Sequence, residues 1–203
     1  MASKTKSTFV NMVVVLFVIS ALASTALAFV YQATKEPIAK AKLEIKKKAI
    51  AQVVPEFDTS YNPIENMFKI ALAEGDSLEC YPTKKGGDFS GYAIKANTNK
   101  GFAGEFWIMV GFTPDGKIYN TAVLEHHETP GLGDKMQKSK SNWSEQFTNL
   151  DVPNIKDIDG DGILIEVKKD QGTVDAITAA TISSRAFCDA CERAYTAFKK
   201  IKK

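Results

Sequence analysis

Cysteine is scarce in this 203-residue chain, which contains only Cys80, Cys188 and Cys191. Three cysteines are too few for a disulfide scaffold. Cys188 and Cys191 form a single C-x-x-C pair, and a zinc or iron–sulfur site would need further ligands such as His126 or His127. We therefore predict no metal site. Packing within a helix is the favoured role of the pair, and a reversible disulfide outside the cytoplasm is the alternative.

An excess of charge of one sign is also lacking, because 26 basic residues are balanced by 24 acidic ones. No basic stretch is interleaved with aromatic residues, so we expect no nucleic-acid partner. The sequence has no internal repeat, and it shows no obvious catalytic triad or pair of carboxylates, so we assign no catalytic residue. Hydrophobic residues make up 44% of the chain, which is enough to bury one core.

Charge is absent altogether between Lys6 and Lys35, and residues 12–31 are almost wholly apolar. A helix of this length can span a hydrocarbon core, so we predict a transmembrane helix over 12–31 after a short tail, 1–11. The alternative is a secretory signal peptide cleaved after the small-residue triplet 26–28, although the apolar run continues beyond it. Flanking lysines do not fix the orientation, because long domains are translocated largely regardless of charge.

Glu36 and Pro37 resemble a helix start, where the missing N–H of proline has no partner to lose. Apolar residues then recur at helical spacing until Pro55, which predicts an amphipathic helix over 36–53. We interpret residues 36–88 as this helix followed by a connecting region that contains several turn signals.

Beyond residue 88 the pattern becomes strand-like and ends in one helix. The strand-like runs are 91–96, 104–111, 117–124 and 162–167, with a hairpin-type turn at 114–116. Apolar residues of the helix step by four, three, four and three positions at Phe187, Cys191, Ala194, Phe198 and Ile201. This order favours an α+β fold over repeated βαβ units. We assign the domain to residues 89–203.

The stretch before the last helix has the composition of an anion site. The first N–H groups of a helix lack internal partners, and with the dipole they favour a phosphate. Small residues, hydroxyls and a guanidinium stand there: Thr178, Ala179, Ala180, Thr181, Ser183, Ser184 and Arg185. Ser183 and Ser184 are also suitable N-cap residues, so a capped helix without a ligand remains the alternative.

Asp175-x-x-Thr178-Ala179-Ala180-Thr181 resembles the flavinylation motif of the FMN-binding domain found in the G subunit of the Rnf complex and in the C subunit of the sodium-pumping NADH:quinone reductase. In that family the final threonine is esterified by the phosphate of FMN, and this position is Thr181 here. The sequence departs at Ala179, where glycine is commoner. Alanine lacks the freedom of glycine to adopt a positive φ.

A second resemblance lies upstream, where His127-Glu128-Thr129-Pro130-Gly131-Leu132-Gly133 is similar to the family's loop near the flavin. The resemblance implies that Glu128, Thr129, Gly131, Leu132 and Gly133 join the residues before the last helix in binding FMN. His126 and His127 would point to opposite faces of a strand and are poor partners for one metal. The better hypothesis is that one of them faces the flavin.

A calcium-loop pattern, Asp157-x-Asp159-x-Asp161, lacks its bidentate glutamate, because Lys168 stands at that position. We interpret it as a solvated turn.

The resemblance also implies an architecture and a role. A single transmembrane helix would precede one FMN-binding domain with a mainly antiparallel sheet packed by helices. The chain would be a flavoprotein subunit of an ion-translocating ferredoxin:NAD oxidoreductase (Rnf) complex. A flavin transferase would attach the FMN, and the domain would lie on the outer face of the cytoplasmic membrane among lipid and the other subunits. The alternatives are the C subunit of the reductase and a non-redox, anchored or secreted ligand-binding domain.

Overall fold

The computed structural model describes residues 8–72, 76–155, 162 and 164–201. The chain separates into two compact units, Met1–Glu44 and Ile45–Lys203. Helix α1 spans Phe9–Val53. Its length and apolar composition are sufficient to cross a membrane, in agreement with the helix predicted over 12–31.

The predicted helix start at Glu36 and Pro37 is wrong, because α1 continues through Pro37. A proline inside a helix removes one backbone hydrogen bond and costs about 3 kcal/mol. Extending an existing helix is nevertheless favoured over nucleating a new one, since nucleation fixes several residues for a single hydrogen bond. The predicted end is confirmed, as α1 ends at Val53, just before Pro55.

Five antiparallel strands form one sheet in the order β1-β2-β3-β4-β5. Their bounds are Phe68–Ala71, Ser77–Lys85, Asp88–Gly101, Gly104–Phe112 and Ile118–Glu125. Strands β3 to β5 match the runs predicted at 91–96, 104–111 and 117–124, the last of which begins one residue later than predicted, and the turn at 114–116 joins β4 to β5. The predicted α+β fold with an antiparallel sheet is confirmed.

Strands β1 and β2 lie in the region for which the sequence predicts no strand. The sequence of β2 does not look like a strand because it contains Pro82. Proline cannot donate a ladder hydrogen bond, so it argues against a central strand. In the structure β1 pairs with β2 only from Ser77 to Cys80, so Pro82 lies where β2 is itself the edge of the sheet. A proline is compatible with that position.

The last helix, α2, spans Thr181–Ile201, and its predicted apolar stripe packs on the sheet. The predicted N-cap at Ser183 or Ser184 is wrong, because the helix begins earlier and both serines lie in its first turn. Ser184 Oγ donates to the carbonyl of Ala180 at 3.0 Å and accepts from the N–H of Ile177 at 2.9 Å. Through these two hydrogen bonds, Ser184 holds the turn that precedes α2 against the helix.

Both faces of the sheet are covered within the second unit. Ile94 and Val110 pack in the core with α2, whereas Ala93 and Met109 pack against Val53 at the end of α1. Adjacent residues of one strand thus point into two different clusters, as the period of two requires. The sheet is therefore a middle layer, and the tip of its β3–β4 hairpin lies beside the start of α2.

The described residues of the predicted strand 162–167 form no strand. Leu164 and Ile165 donate their N–H groups to Glu192 Oε2 of α2, at 3.2 and 3.1 Å. Because a helix side chain uses these donors, the segment does not extend the sheet. The calcium-loop pattern at 157–161 lies outside the described residues.

Candidate functional site

A cleft of about 330 Å³ opens at the N-terminus of α2. Three segments line it: the tip of the β3–β4 hairpin, the loop after β5 and the first residues of α2. We call it the Thr181 cleft. Its volume is at the lower end of the range of about 300–1,000 Å³ that is typical of small-molecule sites.

The segment that leads into α2 is held by side chains of the 3₁₀ turn Trp143–Phe147. The indole N–H of Trp143 donates to the carbonyl of Asp175, and Gln146 Oε1 accepts from the N–H of Asp175 at 2.7 Å. Trp143 packs edge-on against Phe147 and Phe187. This anchoring gives Trp143 a role that the sequence did not reveal, because its partner is the backbone of a distant residue.

Ala179 adopts the left-handed conformation, with φ of 62°. A residue with a β-carbon is disfavoured there by about 1–2 kcal/mol, and glycine is not. The structure thus supplies a physical reason for the glycine that is commoner at this position of the motif. The turn directs the chain back so that Thr181 faces the cleft.

The loop after β5 contains a tight turn. The N–H of Leu132 donates to the carbonyl of Thr129 at 3.1 Å, and Gly131 has a φ of 77°. His126 Nδ1 accepts from the N–H of Glu128 at 3.1 Å. Neither His126 nor His127 lines the Thr181 cleft, so the hypothesis that one of them faces a flavin gains no support.

Glu128 is the charged side chain of the cleft, and only 4% of its surface is exposed. Its Oε2 accepts from the hydroxyl of Ser183 at 2.6 Å, and its Oε1 accepts from the N–H of Ala103 at 3.2 Å. The carboxylate therefore joins all three segments of the cleft. A buried carboxylate without such donors would be strongly destabilising.

Three apolar side chains at the cleft are exposed to solvent: Phe102 by 66%, Leu132 by 39% and Ile182 by 50%. They come from three different segments, and Phe102 lies at the tip of the β3–β4 hairpin. Exposed apolar groups that converge on one concave site favour a flat apolar ligand.

The structure brings together eight of the twelve residues predicted to bind the cofactor. These are Glu128, Thr129, Leu132, Gly133, Ala179, Ala180, Thr181 and Ser183. Gly131, Thr178, Ser184 and Arg185 do not line the cleft. The cleft also contains Phe102 and Ile182, which the sequence did not predict. An aromatic residue in a hairpin turn before Gly104 was the available signal for Phe102.

A larger cavity of about 630 Å³ lies along a different face of α2, and we call it the charged cavity. Six of its eight charged side chains form three pairs: Arg185–Asp170, Lys100–Asp189 and Arg193–Asp76. Arg185 donates to both carboxylate oxygens of Asp170 at 2.6 Å, and these hydrogen bonds hold the pKa of Asp170 below its usual value. Arg185 is therefore occupied away from the Thr181 cleft.

All three cysteines are free and buried. Burial raises the pKa of Cys80 to about 12 and raises the pKa of Cys188 and Cys191 further, so these thiols are unreactive. The favoured packing role of the C-x-x-C pair is confirmed. No three metal-ligating side chains cluster among the residues that the structure describes.

Comparison with known proteins points to one family. The sequence model of the FMN-binding domain matches residues 101–196, which include every residue of the Thr181 cleft. The chain is 33% identical over 173 residues to the G subunit of the ion-translocating oxidoreductase complex of Haemophilus influenzae (strain PittEE), covering 82% of this chain and 78% of that one. It is 34% identical over 186 residues to the G subunit of the complex of the same name in Aliivibrio fischeri, covering 88% and 85%.

A third relative is the G subunit of the Na⁺-translocating ferredoxin:NAD⁺ oxidoreductase complex of Acetobacterium woodii, 29% identical over 93% of this chain and 91% of that one. Among solved structures, the C subunit of the Na⁺-translocating NADH-quinone reductase of Parabacteroides distasonis matches with a TM-score of 0.49 and 19% identity, covering 72% of this chain and 70% of that one. The domain match and the apolar helix α1 indicate a membrane-anchored protein that binds FMN. The chain belongs to the family of G subunits of ion-translocating oxidoreductase complexes.

Proposed function

We propose that this chain is the membrane-anchored flavoprotein subunit of an ion-translocating ferredoxin:NAD oxidoreductase complex. It relays single electrons through one FMN whose phosphate is esterified to the hydroxyl of Thr181. The chain is a component of a redox translocase and performs no reaction alone. The family match to the G subunits favours this role over that of the C subunit of the reductase.

The position of Thr181 is the observation that carries the proposal. It is the first residue of α2, it is half-buried, and it lines the cleft. Among the described residues, no hydrogen bond engages its hydroxyl, whereas the hydroxyls of Ser183 and Ser184 are both used. Thr181 therefore offers a free oxygen where the helix dipole and unpaired N–H groups favour a phosphate.

The remaining residues of the cleft fit the rest of FMN. Ala179 and Ala180 leave room for the phosphate to approach the backbone, and Phe102, Leu132 and Ile182 offer apolar surface to a planar ring. FMN supplies the one-electron chemistry when it is bound. The chain holds the ring at an open cleft, where a redox partner can approach, and the covalent link prevents loss of the cofactor by dissociation.

Maturation and location follow from the same proposal. A flavin transferase transfers the FMN from FAD to the Thr181 hydroxyl with Mg²⁺, as the resemblance implies, breaking the pyrophosphate bond of FAD and releasing AMP. It reaches Thr181 because the cleft is open. The domain lies on the outer face of the cytoplasmic membrane, with α1 in lipid and the other subunits as partners. A C-terminal fusion to alkaline phosphatase tests on which side of the membrane the domain lies, because the phosphatase is active only outside the cytoplasm.

The covalent link is tested by expressing the full chain with the transferase and examining denaturing gels under ultraviolet light. A fluorescent band at the mass of the chain is expected for the wild type and for Thr178→Ala, and no band is expected for Thr181→Ala. Thr178 is the matched control, since it is a threonine of the same motif outside the cleft. A dark wild-type band would favour the non-redox binding domain. A bright Thr181→Ala band would place the attachment elsewhere.

A further inference from the structure

Glu128 is the most deeply buried carboxylate among the described residues. It forms no ion pair with any cationic side chain that they include, and its contacts are to Ser183 and Ala103. Its carboxylate is contacted by two neutral donors, the hydroxyl of Ser183 and the N–H of Ala103. Both carboxylate oxygens are acceptors in this arrangement, which suits the ionised form, because an ionised carboxylate can only accept. The cleft thus holds a negative charge that no contacting cation neutralises.

Two glycines keep this carboxylate in a fixed position. A β-carbon at Gly133 would lie 2.5 Å from Glu128 Oε2, and one at Gly101 would lie 2.7 Å from Oε1. Both distances are shorter than non-bonded atoms tolerate, so any larger residue at either position would displace the carboxylate. The close approach of both backbones also keeps water from the charge, which is why its surface is only 4% exposed.

We propose that Glu128 is a positioning and electrostatic residue that places a fixed negative charge beside the bound flavin and thereby lowers its one-electron reduction potential. This inference rests on the proposed function, because it assumes FMN in the Thr181 cleft. The added electron is negative, so a fixed negative charge nearby disfavours the reduced form. Solvent and salt screen this charge little, because the carboxylate is buried and unpaired.

The expected size of the effect follows from Coulomb's law. One unit charge about 10 Å away, in a medium with an effective dielectric constant of about 20, changes the equilibrium constant of a one-electron reduction roughly tenfold. A tenfold change corresponds to about 59 mV for a one-electron couple. Paired charges, such as those of the charged cavity, have much smaller effects because the fields of the two partners oppose each other.

The test is the midpoint potential of the flavin in the full chain, purified in detergent after expression with the transferase. Glu128→Gln keeps the shape and removes the charge, so it should raise the potential by about 59 mV, a tenfold change. Glu128→Asp keeps the charge and should stay near the wild type. Glu56→Gln is the control, because this carboxylate is 90% exposed and is paired with Lys85.

Ser183→Ala separates charge from structure, since it breaks the contact to Glu128 Oε2 and leaves the charge in place. An unchanged potential in Glu128→Gln would overturn the inference, and so would an equal rise in Ser183→Ala or Glu128→Asp. Glu128→Gln could fail to accept flavin, and the other two variants then carry the test. A midpoint potential raised by about 59 mV in Glu128→Asp or Ser183→Ala would contradict the inference, because both variants keep the charge. Absence of flavin from the wild type would instead contradict the proposed function.

Discussion

The Thr181 cleft and the charged cavity border the same helix, α2, but the carboxylates that line them have different partners. The charged cavity is nearly twice as large, at about 630 against 330 Å³. Three of its five carboxylates, Asp170, Asp189 and Asp76, each have a cation as a partner, and a fourth, that of Glu192, accepts from two backbone N–H groups. The smaller cleft contains the carboxylate of Glu128, a free hydroxyl at Thr181 and exposed apolar groups.

This difference shows that size is a poor guide to the site in this protein. Paired charges at a partly exposed surface satisfy one another and contribute little to binding a further ligand. A free nucleophilic oxygen, an unpaired helix terminus and exposed apolar side chains are groups that a ligand would satisfy. The unsatisfied groups, rather than the volume, favour the smaller cleft as the functional one.

Gly133→Ala should give the largest effect, because it removes the geometry that distinguishes the cleft. The added β-carbon would lie 2.5 Å from Glu128 Oε2 and 2.6 Å from Ser183 Oγ. We expect a loss of about 1–3 kcal/mol in the free energy of unfolding, as for other overpacked sites. We also expect a weaker flavin band. Chemical denaturation measures the first effect and gel fluorescence the second.

Gly86→Ala is the control for this loss of stability. Gly86 has a φ of 63° and lies in the β2–β3 turn, where a β-carbon would meet nothing within 4 Å. It should destabilise the protein through backbone strain and leave the flavin band intact. If Gly133→Ala keeps a full band, the Glu128–Ser183 contact is not needed for modification.

Ala179→Gly should give a smaller effect of the opposite sign. Glycine relieves the strain of the positive φ, about 1–2 kcal/mol, but loses about 0.4–1 kcal/mol through the greater entropy of the unfolded chain. A net gain of up to about 1.6 kcal/mol in unfolding free energy is expected, with full flavin attachment. Asn149→Gly is the control, since asparagine tolerates its φ of 57° and should gain less. A lower free energy of unfolding for Ala179→Gly would show that packing of the alanine methyl group stabilises the protein.

The sequence predicted the parts of this fold that have a regular local pattern. Helix α2 follows from its apolar stripe, and β4 and β5 follow from apolar runs around the turn at 114–116. Strand β2 did not follow, because whether Pro82 is compatible with a strand depends on where β1 ends. That information lies in tertiary pairing and is absent from any local window.

The sequence predicted those residues of the site that belong to a segment resembling the family. Thr181, Ala179 and Glu128 were identified by resemblance, and the structure places all three at one cleft. Phe102 was missed because apolar residues are expected inside, although its place in a hairpin turn before Gly104 was a local signal of exposure. Arg185 was misplaced because its partner, Asp170, lies fifteen residues away in sequence and no pattern links the two.

Arg185→Gln should give the smallest effect, and it tests the charged cavity directly. Without the guanidinium, the pKa of Asp170 should rise toward its usual value of 3.8. The folded-state pKa of Asp170 is lowered, so the pair stabilises the protein above pH 3.8, and this contribution is lost as the pH falls through the folded-state pKa. The variant should therefore show a shallower loss of stability in acid, measured by unfolding between pH 7 and about pH 2.

The flavin is the decisive readout for this variant. If the charged cavity only pairs its own charges, Arg185→Gln should keep a full fluorescent band and an unchanged midpoint potential, because Arg185 is exposed and does not line the Thr181 cleft. A weakened band would mean that the guanidinium assists the phosphate after all, as its place in the predicted anion site implies. The two cavities would then share one function, since Arg185 would have to leave Asp170 to reach the cleft.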